Sequence, residues 1–153
     1  MKYQIRHVIH DVVLPGMKGN IDHVVLGPNG IFVIETKNHK GFISCNGDSW
    51  RQLKMGRKGT NYFGNIGSPS KQVKRKAVQL RNFIKKRFKI SPYIHGLVVF
   101  TNKDVKLTLN NPTVNALKPQ ELCEFIQNMS SKRFNDEKLR ELQVTLKQYS
   151  HFS

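Results

Sequence analysis

Acidic residues are scarce: ten Asp plus Glu stand against 26 Lys plus Arg in 153 residues, a formal net charge of +16. Between Ser49 and Lys103 there is no Asp or Glu at all, while fourteen basic residues fall in that stretch. Such asymmetry is the footprint expected of a face turned to a polyanion, the alternative being a merely solvated basic face. Cysteine is equally sparse. Cys45 and Cys123 lie far apart with no CxxC pair, which excludes a zinc knuckle or a disulfide framework within the chain and makes both read as small core residues. No window approaches the roughly 18 consecutive apolar residues of a membrane span. The opening Met1-Lys2-Tyr3-Gln4-Ile5-Arg6-His7 has no apolar core of the signal-peptide kind, so the expectation is a soluble, cytoplasmic protein with no membrane partner. The sequence also lacks GxSxG, P-loop, HxxxH and HExxH strings, which argues against esterase, nucleotide-hydrolase and histidine-metal chemistry.

The apolar fraction of 38%, with nine Phe and four Tyr, is enough to fill a core of ordinary size. The length predicts one domain over residues 1–153, closed by packing helices from about 119 to 150. Ile5 to Leu14 is rich in Val and Ile and stops at Pro15-Gly16. Asn20 to Leu26 and Ile31 to Lys37 flank Gly27-Pro28-Asn29-Gly30, whose Asn-Gly is a strong hairpin signal. Phe42 to Cys45 and Trp50 to Met55, around Asn46-Gly47-Asp48, are expected to continue the meander. The glycine-rich Gly56 to Gly67 reads as an exposed loop.

Ser68-Pro69 then opens a helix. Val73, Ala77, Leu80 and Ile84 recur at helical spacing and carry it to about Phe88. Ile94 to Thr101 reads as a strand buried on both faces, so a helix crossing to it makes the sheet mixed. Further helices open at Lys118-Pro119 and at Asn135, as packing helices at the sheet edge.

Chemistry concentrates in the hairpin. If Leu26 faces Ile31, the same register sets Asp22 across from Glu35, and opposed residues share a face. The period of two adds Lys37 to that face. Two opposed carboxylates repel unless a cation lies between them, and hard oxygen donors suit magnesium or manganese. Lys37 beside such an ion is suited to hold the attacking water and to offset charge developing on a phosphate. The alternative is a plain salt bridge between Lys37 and one carboxylate, or a one-residue slip that separates the three groups. Alternation points His23 away from Asp22, and His39, two residues past Lys37, reads as a solvated loop histidine.

The run Ile21-Asp22-His23-Val24-Val25-Leu26, the Pro-x-Gly turn and Gly30-Ile31-Phe32-Val33-Ile34-Glu35-Thr36-Lys37-Asn38 with Gly41 closely resemble the nuclease-related domain, a family of the PD-(D/E)xK nuclease superfamily. Trp50 with Gln52 and Pro69-Ser70-Lys71-Gln72 extend the resemblance, which runs from about Val8 to Thr101. It implies an α/β fold, a restriction-endonuclease-like core with a mixed central sheet flanked by helices. It also implies Asp22 and Glu35 as metal ligands, the Thr36 carbonyl as a further ligand, Lys37 as the catalytic lysine and Gln72 bordering the site; a glutamine so early in a helix is otherwise a local cap. Family members usually begin with a helix whose Gly-Glu element adds a third acid; here the reading starts at a strand, and Asp11 lies too near that strand's start to replace it. Ser68 stands where the family usually has asparagine.

The functional expectation is a nuclease dependent on Mg2+ or Mn2+ and hydrolysing DNA phosphodiesters. Arg51, Lys54, Arg57, Lys58, Lys71, Lys74 and Arg75 would contact backbone phosphates, and Tyr62 and Phe63 either stack on an unpaired base or pack beneath their loop. RNA and a homodimer are both compatible with this reading. The rival is a non-catalytic nucleic-acid-binding module that keeps the nuclease fold.

Overall fold

A computed structural model describes residues 5–129 and 133–151; Met1–Gln4 of the opening stretch read above lie outside it. Among the described residues there are nine strands and three helices. The strands form two sheets. In the larger, β1 (His7–Val12), β2 (Ile21–Gly27), β3 (Gly30–Lys37), β7 (Ile94–Phe100) and β9 (Asn115–Leu117) lie in the order β1-β2-β3-β7-β9. In the smaller, the order is β6 (Asn61–Asn65), β5 (Ser49–Met55), β4 (Gly41–Asn46) and β8 (Val105–Asn110). Both are mixed. β3 pairs parallel with β7, and β4 parallel with β8, while the hairpin neighbours pair antiparallel.

The β2–β3 hairpin has the expected register, Leu26 opposite Ile31. Asn29 at its turn is buried and donates from Nδ2 to the carbonyl oxygens of Ile126 and Met129, 2.5 and 3.0 Å away. The hairpin tip is thereby tied to the end of α2 (Pro119–Asn128).

α1 (Pro69–Phe88) forms for the reasons its sequence gives. The Ser68 side chain accepts from the Lys71 backbone N–H, proline occupies the first turn, and the helix ends at Lys89 in the left-handed region. Its buried stripe of Val73, Ala77, Leu80 and Ile84 lies over β3 and β7. Burying each of the larger of these side chains contributes about 1.5–3 kcal/mol. Gly96 of β7 lets the helix close in, since a Cβ there would meet both Val73 methyls at 3.4 Å. α3 (Asp136–Lys147), capped by Asn135, packs on β1 and β2 with buried Leu139, Leu142 and Leu146.

Four details differ from the expectation. The Phe42–Met55 hairpin does not continue the first meander but belongs to the second sheet. The stretch 56–67 contains β6, paired in register with β5 from Arg51↔Asn65 to Met55↔Asn61. α2 covers a sheet face, where Ile126 joins Val25, Phe32, Ile34, Leu97 and Val99 in a core of their own; an amphipathic helix buries more apolar area over a face than at an edge. Cys45 is buried, but Cys123 is exposed.

The two sheets are joined where two parallel strand pairs cross together. β3 runs into β4 through Asn38–Lys40, and β7 runs into β8 through Thr101–Asp104. The Thr101 N–H donates to the Lys37 carbonyl at 2.8 Å, and the Gly41 N–H to the Asp104 carbonyl at 3.2 Å. Glu35, Thr36 and Lys37 are the last three residues before this break.

Candidate active site

The hairpin ladder is continuous from Gly27↔Gly30 to His23↔Ile34 and opens beyond that pair. At the opening, Asp22 Oδ2 accepts from the Thr36 backbone N–H at 2.9 Å and from the Thr36 hydroxyl at 3.0 Å. Asp22 therefore engages Thr36, one residue beyond Glu35. In a parallel ladder the polar groups of successive residues alternate between neighbours. Since the Lys37 carbonyl serves β7, the Thr36 carbonyl is directed to the same side as Asp22.

Glu35 is 6% exposed, the one buried acidic residue among those described. Its Oε1 lies 3.5 Å from Lys37 Nζ and its Oε2 lies 2.5 Å from Lys76 Nζ. Lys37 was expected; Lys76, the nearer of the two, was not. Lys76 sits on α1 beside the apolar stripe, four residues after Gln72 and thus on the same helix face. That i, i+4 relation to Gln72 was the available signal, masked by the many solvated lysines of the same helix. The protein itself thus supplies the buried Glu35 carboxylate with two counter-charges.

Gln72 is half-buried, and its Oε1 has no hydrogen-bond partner. It is not a local cap, a role held by Ser68. His39 differs from expectation as well. It is half-buried rather than solvated, its Nδ1 is buried without a partner, and its pKa is lowered by burial and then by the charges of Lys37 and Lys54. His23 does turn away from Asp22, to the opposite face, where its Nδ1 meets His10 Nδ1 at 2.7 Å.

Among the described residues, no three His, Cys, Asp or Glu side chains group as a metal site. The donors at the opening are two carboxylates, Asp22 and Glu35, and the Thr36 carbonyl. Such a hard-oxygen set fits magnesium or manganese, which are commonly held by one or two carboxylates and keep several waters. It does not fit zinc in a closed four-ligand site.

The basic residues named from the sequence do not form one patch. Arg51 is exposed on the outer face of the second sheet, with its guanidinium 5.4 Å from the Phe63 ring centroid. Lys54 belongs by alternation to the other face, and its charge is felt at His39. Arg57 and Lys58 are exposed in the β5–β6 connection, and Lys71 and Arg75 on the outside of α1. Lys74 is committed to Asp48, at 3.0 Å. Asp48 also accepts from the Ser70 and Thr113 hydroxyls at 2.6 and 2.5 Å. These bonds and Lys74 hold its carboxyl well below the usual carboxylate range. Ser70 in turn accepts from the Trp50 indole at 2.9 Å, which locks the start of α1 to the second sheet.

Two mixed sheets flanked by helices, with an acid-and-lysine cluster where a central hairpin opens, define an α/β protein with a nuclease-like core. The chain belongs to the nuclease-related domain family, whose model matches residues 2–101. No curated protein and no solved structure matched the chain. No helix among the described residues is long and apolar enough to cross a membrane.

Proposed function

We propose that the chain is a nuclease domain that hydrolyses DNA phosphodiester bonds with the help of Mg2+ or Mn2+. The observation that carries this reading is a buried carboxylate, Glu35, held by two ammonium groups at the open end of a hairpin, next in sequence to the Thr36 that Asp22 engages. Asp22, Glu35 and the Thr36 carbonyl would hold the ion. A bound divalent ion there supplies Lewis acidity toward a phosphoryl oxygen and lowers the pKa of a coordinated water.

The remaining work falls to side chains of the chain. Lys37, with its ammonium anchored on Glu35, is suited to orient the attacking water and to stabilise charge on the phosphoryl oxygens. Gln72 offers an unpaired amide oxygen one helical turn before Lys76, suited to position a water by accepting a hydrogen bond from it. Lys54, Arg57, Lys58, Lys71 and Arg75 would hold backbone phosphates without reading sequence.

The test uses labelled linear and supercoiled DNA. Cleavage should require magnesium or manganese and vanish in chelator. It should be lost in Asp22→Ala, Glu35→Ala and Lys37→Ala while DNA binding persists. No cleavage by the unaltered protein with any divalent ion would overturn the reading.

One observation favours a second reading, a non-catalytic DNA-binding module. Lys76 and Lys37 already neutralise Glu35, so charge balance at the site does not demand a metal. This reading expects salt-dependent DNA binding that ignores magnesium and survives Asp22→Ala.

A further inference from the structure

The outer face of the second sheet carries a row of side chains that the catalytic reading leaves unused. Register places Lys106 of β8 beside Phe42 of β4, Phe42 beside Leu53 of β5, and Leu53 beside Phe63 of β6. Residues paired across strands share a face, so Lys106, Phe42, Leu53 and Phe63 form one line across all four strands. Phe42 is 55% exposed and Phe63 62%, unusual for two large rings on one sheet face. Each ring has a cation over it: Lys106 Nζ lies 5.4 Å from the Phe42 centroid and the Arg51 guanidinium 5.4 Å from that of Phe63. Two strand spacings separate the rings, about 10 Å.

The next row on the same face is polar. Thr108, Ser44, Arg51 and Asn65 line up by the same register. No acidic side chain belongs to either row.

From this we infer that the outer face is a platform for single-stranded DNA, with Phe42 and Phe63 as stacking positions for two unpaired bases and with Arg51 and Lys106 taking the adjoining phosphates. The inference rests on the nuclease reading for the nature of the partner. Aromatic rings on an open sheet, with cations beside them, suit unpaired bases, because every base has a π-face and in a duplex that face is already stacked on its neighbours. The row of hydroxyl and amide groups favours a partner that makes hydrogen bonds over a lipid surface, which would leave them unpaired. Phe42 follows Lys37 by five residues in the chain, so a strand crossing the platform is within about 17 Å of the site. The substrate class that results is DNA with a single-stranded flank.

Fluorescence anisotropy of a labelled oligodeoxythymidine, measured in chelator, tests binding apart from chemistry. The variant Phe42→Ala with Phe63→Ala should lose about tenfold or more in affinity for the single strand and little for a duplex. Arg51→Ala and Lys106→Ala should each reduce the salt slope by about 0.7. Trp50, the single tryptophan, is buried, so the variant Phe63→Trp adds a reporter whose emission should be quenched by the oligonucleotide.

Unchanged affinity in the double variant together with an unquenched Phe63→Trp would overturn the inference. So would tighter binding to a ribo-oligonucleotide, loss of anionic-vesicle binding in the double variant, or a self-association that the double variant abolishes. Because chelator is present throughout, failure here leaves the nuclease reading standing. Success with no cleavage under any metal removes that reading alone.

Discussion

Lys76 Nζ and Glu35 Oε2 are 2.5 Å apart, closer than Lys37 Nζ and Glu35 Oε1 at 3.5 Å. One buried carboxylate is thus shared by a strand lysine and a helix lysine. A single buried charge costs several kcal/mol unless paired, and this arrangement ties α1 to the end of β3 through that cost. Any ion entering the site competes with Lys76 for the same oxygen.

Lys76→Met should therefore destabilise the fold by about 1–3 kcal/mol, less than complete loss of a buried pair because Lys37 remains. Glu35→Gln in the same background should recover part of the loss, since no uncompensated carboxylate is left. Urea denaturation of the two single variants and the double variant checks this. A double variant whose loss equals the sum of the two single losses would mean that the two residues do not interact.

Manganese should raise the thermal midpoint of Lys76→Met by more than that of the unaltered protein, because the competing ammonium is gone. Ligand binding to the native state stabilises in proportion to affinity. Glu35→Ala should abolish the effect in both. Thermal melts and calorimetric titrations with manganese measure it without needing a substrate.

Acidification below about pH 6.5 should weaken the fold. The pKa of His39 is lowered by burial and by Lys37 and Lys54, that of His23 by burial and by His10 despite the opposing pull of Asp22, and that of His95 by burial. Each histidine binds its proton more readily in the unfolded chain. Stability is therefore full above the ordinary histidine value of 6.5 and falls as pH drops through it toward the lowered folded values. Denaturation midpoints followed across this range should show that slope, and it should be shallower in His39→Asn.

Asp48 has the opposite sign. Its depressed carboxyl contributes stability that is present above 3.8, the ordinary value, and is lost as pH falls toward the folded value. Asp48→Asn should lower the thermal midpoint near neutral pH and flatten the acid limb of the stability curve. Lys74→Ala should do less, because it removes only one of three partners.

What could be read from the sequence follows from which signals are local. The β2–β3 register, α1 and β7 depend on turn chemistry and periodicity within one segment, and each lies where the residues predict. The division into two sheets depends on which distant strands pair, a non-local matter. β8 shows it well: Val105, Leu107 and Leu109 alternate with Lys106, Thr108 and Asn110, yet nothing in that pattern names β4 as the partner. β6 was hidden because its glycine-rich surroundings argue for a loop. At the site, the Glu35–Lys37 contact follows from strand alternation, whereas the hairpin ladder opens before Asp22, whose bonds go to Thr36. Lys76 requires knowing how α1 is rotated over β3, Gln72 is reached only through the family resemblance, and His39 stands out only once burial leaves its ring nitrogen without a partner.

The family-matched segment, residues 2–101, is not a self-sufficient piece of this molecule. β8 and β9, both beyond it, complete the ladders of β4 and β7, and α3 seals β1 and β2. A truncation placed at the end of that segment would bare two parallel strand edges and an apolar face at once, an invitation to intermolecular pairing. Expression of the shortened fragment should yield aggregates, and the boundary useful for classification is the wrong place to cut.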